Sequence, residues 1–217
     1  MTEQYINKII CGDCLEVMKD FEDNSVDLVL TDPPYGVDID WWDKCPTEEF
    51  RDECRRVGRS LVMFGGASMR SVVPFANLYP DRVLVWSPRF TLSHLCSNGL
   101  AWRWHPIWCW DLPKENEFLT WDILDDNTEC GNWWKHSCTK PLSLMQKLVG
   151  FAEENQIILD PFCGSGTTCV AAKMLGRRYI GIDISEKYCE IARMRLEAVD
   201  TGVPVKEQLT GQMGLFK

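Results

Sequence analysis

The sequence has no apolar run long enough to cross a bilayer. None of its 217 residues belong to a stretch approaching the roughly 18 to 20 apolar residues that a transmembrane helix needs. The first residues, MTEQYINK, lack the apolar core of a signal peptide. With 45% hydrophobic and 25% charged residues, the chain is typical of one well-cored domain. We therefore expect a cytoplasmic protein with no membrane partner.

The sequence also lacks a disulfide framework. Its 11 cysteines are an odd number and lie scattered among strand-like and helix-like patterns. Most are expected to be buried as small apolar residues. Cys11 and Cys14 form a CxxC pair, but no second pair and no histidine pair follows at the spacing of zinc ligands. We therefore predict no metal site.

Positive charge is scarce overall but concentrated in one region. The formal net charge of −9 argues against attraction of the whole molecule to nucleic acid. Between Arg82 and Trp110, however, there is no acidic residue, and basic residues are interleaved with aromatic ones. Such a mixture suits phosphate contact and base stacking, while tryptophans also suit a buried hairpin. Both interpretations stay open for different residues of this stretch.

Seven short apolar runs predict the strands of a sheet. They are INKIICGD, VDLVLTDPP, SLVMFGG, RVLVW, HPIWCW, QIILDPF and RYIGIDI, each bounded by Gly, Pro or Asp. Helical patterns separate most of them, including one with Pro141 suited to its first turn, one that Gly176 ends and one that Ser185 can cap. Alternating strands and helices predict an α/β fold with a mostly parallel, seven-stranded sheet. RVLVW and HPIWCW have no helix between them and predict one antiparallel hairpin strand.

Two predicted strands end in motifs that suit a ligand site. In TDPPYG, residues 31–36, two prolines stop the strand and leave an acidic side chain, rigid carbonyls and a tyrosine beyond it. In DPFCGSGTT, residues 160–168, two glycines let the backbone approach a ligand closely. Asp183 ends the next strand about 20 residues later, where a ribose-binding carboxylate is expected. Because GxGxxG and a P-loop lysine are both missing, these features predict a nucleoside site.

Four segments together resemble the amino-methylating DNA methyltransferases, which use S-adenosylmethionine and carry a [DNS]PP[YFW] motif. In chain order they are DPPYG, HSCTKPLSLMQKLV, ILDPFCGSGTT and RRYIGIDISEKYCEIA. The resemblance covers nearly the whole chain except about residues 86–134. The catalytic motif precedes the cofactor motif, as in the permuted β subgroup. This order favours DNA over the substrates of the similar protein-glutamine and RNA methyltransferases, which carry NPPY after the cofactor loop.

The resemblance implies a domain organisation and an activity. A Rossmann-like methyltransferase domain is expected at residues 1–203, with a short target-recognition insertion within about 86–134, followed by a tail at 204–217. The expected reaction is methylation of a flipped base in double-stranded DNA, at adenine N6, because cytosine-N4 enzymes more often carry SPPY. Cytosine N4 is the alternative product. A non-catalytic, cofactor-sensing DNA-binding module would be expected to lack Asp32 or Tyr35, and both are present.

The resemblance also assigns catalytic residues. Asp32 and the carbonyl of Pro33 are expected to accept the two protons of the target amine and to orient its lone pair. Pro34 helps to make the turn rigid, and Tyr35 is expected to stack on the flipped base. The acidic residue, the rigid carbonyl and the tyrosine are therefore expected at consecutive positions because all three contact a single flipped base.

Further residues are implied for the cofactor S-adenosylmethionine. The expected contacts are Asp13, His136, Thr139, Lys140, Asp160, Pro161, Phe162, Gly164, Gly166, Thr167 and Asp183. Asp183 is assigned to the ribose hydroxyls, Asp13 to the adenine, and Thr139 with Lys140 to the methionine end. Asp13 also fits an ordinary turn aspartate, and His136 also fits a capping or packing residue.

Target recognition and partners are the least specified part of the sequence. Trp41, Trp42, Arg89 and Arg103 are the expected DNA contacts, and the acidic stretch 111–129 is expected to be a solvated or dimer-facing loop. A small recognition region suggests a short site, a homodimer or a helper protein. The segment QMGLF resembles peptides that dock on the replication sliding clamp through residues equivalent to Gln212, Leu215 and Phe216. The alternative is that this tail packs on the protein itself or on a second subunit.

Overall fold

The computed structural model describes residues 2–36, 45–66, 69–88, 104–112, 123–126 and 140–202. The strands in these ranges are β1 (Lys8–Cys11), β2 (Val26–Thr31), β3 (Gly58–Phe64), β4 (Arg82–Pro88), β5 (His105–Trp110), β6 (Ile123–Asp126), β7 (Ile157–Asp160) and β8 (Arg178–Asp183). The helices are α1 (Cys14–Met18), α2 (Glu48–Val57), α3 (Met69–Ala76), α4 (Leu142–Val149), α5 (Thr167–Met174) and α6 (Glu186–Thr201). A 3-10 helix at Thr2–Tyr5 precedes β1.

All the strands join in one sheet, in the order β1-β8-β7-β2-β3-β5-β4-β6. Only β5 runs antiparallel to its neighbours within this described sheet, pairing with β3 on one side and β4 on the other. The predicted α/β class, with a mostly parallel sheet and one antiparallel hairpin strand, is confirmed. β1 lies at one edge, parallel to β8, where a strand following the last helix of an unpermuted chain would lie.

The sheet contains eight strands, whereas seven were predicted. The additional strand is β6, which pairs in parallel with β4, beginning with Val85 opposite Ile123. It lies within the stretch 111–129 that was predicted to be a loop. Two of its four residues are aspartates, so its pattern carries little apolar signal, yet Leu124 is buried in the core.

Alternation along the strands divides the core between the two faces of the sheet. In β2, Leu28 and Leu30 pack with residues of α4, α5 and α6, whereas Val29 packs with residues of α1, α2 and α3. All three side chains are at most 1% exposed. Burial on both faces is what a parallel sheet between two helical layers requires.

The helix ends follow the sequence in part. Gly176, with φ of +72°, follows α5 as predicted. Ser185 occupies the N-cap position of α6, but the prediction that its side chain caps the helix is wrong. Its backbone N–H instead donates to Oδ1 of Asp183 at 2.8 Å. Pro141 was predicted to lie in the first turn of its helix, whereas it is the N-cap residue of α4 and lies just before that turn.

The cysteines behave mostly as buried apolar residues. Of the eight that are described, six are buried and all are free thiols. The CxxC pair diverges, since Cys11 is exposed at the sheet edge while Cys14 joins the core. The ligand atoms of Cys11, Glu186 and Cys189 lie within 4.8 Å of one another, although Glu186 already pairs with Arg193 at 2.5 Å.

In the part of the chain that the structure describes, no helix is both long enough and apolar enough to cross a membrane.

Candidate active site

The two motifs that were predicted to form the site meet at one edge of the sheet. β2 and β7 are parallel neighbours, with Val29 opposite Leu159, so Asp32 and Asp160 emerge side by side at their carboxyl ends. From β7 the chain continues to β8 on one side, and from β2 it continues to β3 on the other. Ligands bind in α/β sheets where the strand order reverses in this way. DPPY and DPFCGSG therefore flank one crevice.

Asp32, Tyr35 and Lys140 form a hydrogen-bonded cluster beyond the end of β2. The hydroxyl of Tyr35 donates to Oδ1 of Asp32, and Nζ of Lys140 contacts Oδ2 of the same carboxylate. Nζ also donates to the Tyr35 hydroxyl at 3.1 Å. The Lys140 side chain is only 9% exposed, and that of Asp32 is 24% exposed. The carboxylate is thus neutralised by a cation that is itself largely removed from water.

Aromatic rings from three elements fix this cluster. Nζ of Lys140 lies 5.0 Å from the ring centroid of Phe64 in β3 and 5.5 Å from that of Tyr35. Phe75 of α3 meets the Tyr35 ring edge-on, with 6.4 Å between centroids. Phe75 in turn stacks on Trp108 of β5 at 6.3 Å. The ring of Tyr35 is therefore held by packing as well as by its hydroxyl.

The turn that follows Tyr35 requires glycine. Gly36 has φ of +67°, and a Cβ at this position would lie 2.8 Å from Sγ of Cys45. The Cys45 thiol donates to the Tyr35 carbonyl at 2.9 Å. This close approach joins the end of the DPPY motif to the chain that leads into α2.

The loop after β7 is held by hydrogen bonds to its backbone. The Gly164 N–H donates to Oδ2 of Asp183 at 2.9 Å, so this carboxylate links the loop to the turn between β8 and α6. Gly166 has φ of +79°, and a Cβ there would lie 2.7 Å from the Cβ of Ala192. Glycine therefore lets the beginning of α5 pack directly against α6.

Arg195 supports this loop from the core, and no sequence pattern had singled it out. The residue is 8% exposed. Its Nη1 donates to the Ser165 carbonyl at 2.7 Å, to the Ser165 hydroxyl at 3.0 Å and to the Thr167 hydroxyl at 2.9 Å. Arg195 lies on a helix with many charged residues, so its pattern does not distinguish it from a surface arginine. The contact of Thr167 with the cofactor stays a prediction.

Asp160 is a buried carboxyl group at the end of β7, just before the glycine loop. It is 3% exposed, and burial raises its pKa to about 7. Hydrogen bonds from the Thr168 hydroxyl at 2.5 Å and the Phe162 N–H at 3.2 Å limit this rise in pKa. The nearby charge of Asp32 contributes to the rise. Asp160 therefore changes its charge close to neutral pH.

His105 is a neutral histidine near the Asp32 cluster. Because β5 is antiparallel, its first residue lies at the edge where the parallel strands end. Burial lowers the pKa of His105 to about 4, the charge of Lys140 lowers it further, and that of Asp32 opposes the change. The imidazole stacks on Trp86 at 4.9 Å. The sequence indicated a basic residue in an acid-free stretch, but burial keeps this side chain uncharged at pH 7.

Three other predicted cofactor residues, Asp13, Pro161 and Phe162, lie among the described residues. Asp13 is the N-cap of α1, where its Oδ1 accepts from the N–H of Leu15 at 2.9 Å and of Glu16 at 3.3 Å, and its contact with adenine stays a prediction. Pro161 is buried, and Phe162 packs on Phe50 with 5.2 Å between ring centroids. Predicted site and partner residues that lie outside the described residues are Trp41, Trp42, Arg89, Arg103, His136, Thr139, Gln212, Leu215 and Phe216.

Comparison with known proteins identifies the family. A family model described as DNA methylase, of the N6/N4 type, matches residues 98–194. YubD of Escherichia coli (strain K12), which is named as a methylase, is 30% identical over 224 aligned residues, covering 89% of this chain and 92% of YubD. The chain belongs to the N6/N4 DNA methylase family. The family predicted from the four motifs is confirmed.

Solved structures agree with the fold of this methylase. M1.HpyAVI, crystallised as a complex with S-adenosylmethionine, matches with a TM-score of 0.66 and 25% identity, over 87% of this chain and 98% of that chain. PvuII DNA methyltransferase, described as cytosine-N4-specific, matches with a TM-score of 0.69 and 17% identity, over 92% and 88% of the two chains. The second likeness concerns the fold alone.

Proposed function

We propose that this methylase transfers the methyl group of S-adenosylmethionine to the exocyclic amine of a flipped base in double-stranded DNA, with adenine N6 as the target. The observation that carries the proposal is that Asp32 and the glycine loop follow the adjacent parallel strands β2 and β7, so that both lie at the carboxyl end of the sheet. DPPY favours adenine by the family resemblance. Cytosine N4 is the alternative product, because the family includes both activities.

A glycine turn beside a carboxylate supports binding of S-adenosylmethionine on the side of the crevice that follows β7. Gly164, with φ of +49°, turns the backbone without a side chain beside Asp183. The carboxylate oxygens of Asp183 accept the backbone N–H groups of Gly164 and Ser185, which orients this carboxylate beside the glycine loop, where the ribose hydroxyls are proposed to bind. When bound, the cofactor supplies a methyl group that is already activated on a sulfonium.

The base side of the crevice supplies orientation and charge. An exocyclic amine of adenine or cytosine is a poor nucleophile, because its lone pair is delocalised into the ring. Asp32 and the Pro33 carbonyl accept the two amine protons and turn the lone pair toward the methyl group. As positive charge develops on the amine, Asp32 stabilises it, and the proton leaves after transfer. Tyr35 offers a ring on which the flipped base stacks.

The direct test uses purified protein, methyl-labelled S-adenosylmethionine and unmodified genomic DNA. The DNA is digested to nucleosides, which are separated and scored for label. We expect label in N6-methyladenine and none with the Asp32→Ala variant, and sequencing of the product identifies the recognition site. Label in N4-methylcytosine would reassign the target base. Unlabelled DNA after incubation with folded, cofactor-binding wild-type protein would refute the proposal.

A further inference from the structure

We infer that Asp32 and Lys140 together read the target base, with the carboxylate accepting from the exocyclic amine and the ammonium donating to the adjacent ring nitrogen. This inference rests on the proposed function and assigns Lys140 a role in specificity. It differs from the family-based expectation, in which Lys140 contacts the methionine end of the cofactor.

The hydrogen-bonding groups of the four bases determine which of them such a pair accepts. Adenine presents an amine donor at N6 beside an acceptor at N1, and cytosine presents an amine donor at N4 beside an acceptor at N3. Guanine and thymine present a carbonyl acceptor beside a ring N–H donor. A carboxylate next to an ammonium is therefore complementary to the two amino bases and opposes the two oxo bases. A mismatch would leave buried polar groups unpaired, which is costly.

The structure brings these two groups together in the required arrangement. Nζ of Lys140 contacts Oδ2 of Asp32 directly, so acceptor and donor are neighbours, as the amine and the ring nitrogen are. The ammonium carries three N–H groups, and its partners among the described residues are Asp32 and the Tyr35 hydroxyl. One N–H therefore remains for a base stacked on Tyr35, and Lys140 need not leave Asp32.

The surroundings of Lys140 make such a contact selective. The residue is 8% exposed, and its ammonium lies over the ring of Phe64 with 5.0 Å to the centroid. In this partly desolvated site a hydrogen bond is stronger than in water, and an unpaired group is more costly. Donation to the ring nitrogen also withdraws electron density from the amine. Lys140 is therefore expected to increase the selectivity for the correct base more than it increases the rate of methyl transfer.

The test is a cycle of two proteins and two substrates. Wild type and Lys140→Met are compared on the recognition duplex with adenine or 1-deazaadenine at the target position, the latter having CH in place of N1. Methionine keeps the length and apolar packing of lysine but cannot donate. The preference for adenine over 1-deazaadenine, measured as the ratio of the two kcat/KM values, should be about 10- to 100-fold larger in the wild type than in the variant. One hydrogen bond to a charged group contributes a factor of this size. Differences in intrinsic reactivity of the bases cancel in this ratio.

Equal preference in the two proteins would overturn the inference. So would a large loss of S-adenosylmethionine affinity in Lys140→Met, measured by calorimetry, because it would assign Lys140 to the cofactor. If that variant does not fold, wild-type binding to duplexes with 1-deazaadenine and 7-deazaadenine decides, and equal weakening by both analogues would contradict contact at N1. If nucleoside analysis shows cytosine as the target, 3-deazacytosine replaces 1-deazaadenine. A wild type that methylates no DNA would instead refute the proposed function.

Discussion

The two sides of the crevice are held in different ways. On the cofactor side, the glycine loop is fixed by backbone hydrogen bonds to Asp183 and by the buried guanidinium of Arg195. On the proposed base side, Asp32 is held, among the described residues, by the side chains of Tyr35 and Lys140. The first arrangement can remain unchanged when a ligand binds. The second can readjust when a base arrives, because the groups that hold Asp32 are side chains.

Because of this difference, one side is expected to contribute to the rate of methyl transfer and the other to the affinity for S-adenosylmethionine. A preformed loop contributes ground-state binding, whereas a carboxylate that meets the amine only in the reacting complex contributes to the transition state. Substitutions on the two sides should therefore affect different measured quantities.

The largest effect is expected at Asp32. Asp32→Ala removes the group that orients the amine and stabilises its charge, so the rate of methyl transfer should fall by about 10³-fold or more. Affinity for S-adenosylmethionine should stay within a few-fold of wild type. Asp32→Asn is the matched variant, because it keeps one acceptor oxygen and should lose less. Single-turnover assays measure the rates, and thermal unfolding checks that the unpaired Lys140 has not disrupted the fold.

Asp183→Ala is expected to act on cofactor affinity. It removes the acceptor for the Gly164 N–H and the carboxylate proposed to hold the ribose. Calorimetric titration should show affinity for S-adenosylmethionine reduced by about 10- to 100-fold, the cost of losing a charged hydrogen-bond partner. Glu186→Ala, an exposed carboxylate near the start of α6, should leave affinity unchanged. Unchanged affinity in Asp183→Ala would remove this residue from the cofactor site.

A smaller effect, on stability, is expected from Arg195. Arg195→Met keeps much of the buried volume but leaves the Ser165 carbonyl and the Thr167 hydroxyl without their partner. The loss should be about 2 kcal/mol of unfolding free energy, or roughly 4 to 8 °C in Tm for a chain of this size. Arg55→Met in α2 breaks an exposed ion pair with Asp111 and should change stability by less than about 1 kcal/mol. Equal effects in the two variants would mean that Arg195 does not support the loop.

The last of these predictions is a pH dependence of stability at Asp160. Burial raises the pKa of this carboxyl from its usual 3.8 to about 7, so between these values the folded state holds a proton that the unfolded state has lost. The stabilising contribution is therefore complete below about pH 4 and is lost as the pH rises through 7. Relative to Asp160→Asn, the wild type should lose stability over this interval.

Denaturant unfolding of the wild type and Asp160→Asn at several pH values measures this dependence. The contribution of His105, which has a lowered pKa in both proteins, cancels in the difference. If the difference in unfolding free energy between the two proteins does not vary with pH over this interval, Asp160 does not titrate there.

The sequence was sufficient for the fold class and for the positions of the two motifs. Proline pairs, glycines and terminal aspartates mark the carboxyl ends of strands, and strand ends are local features that a pattern reveals. The parallel pairing of β2 with β7 then brings the two motifs together. The family could be predicted because four segments match its motifs in one order along the chain.

The sequence was insufficient for contacts that join distant segments. Lys140 reaches Asp32 across 108 positions of the chain, and Arg195 reaches Ser165 across 30. Neither lysine nor arginine carries a local mark that separates a buried cation from a solvated one. β6 was missed for a related reason, since pairing with β4 rather than its own composition makes it a strand.

The most direct test of this division is the rate of methyl transfer at saturating S-adenosylmethionine in Asp32→Ala and Asp183→Ala. Saturation compensates for weak cofactor binding but cannot replace a group that acts on the amine. The account predicts that Asp183→Ala recovers to within a few-fold of the wild-type rate, while Asp32→Ala remains about 10³-fold slower. Recovery of both variants, or an equal deficit in both, would contradict it.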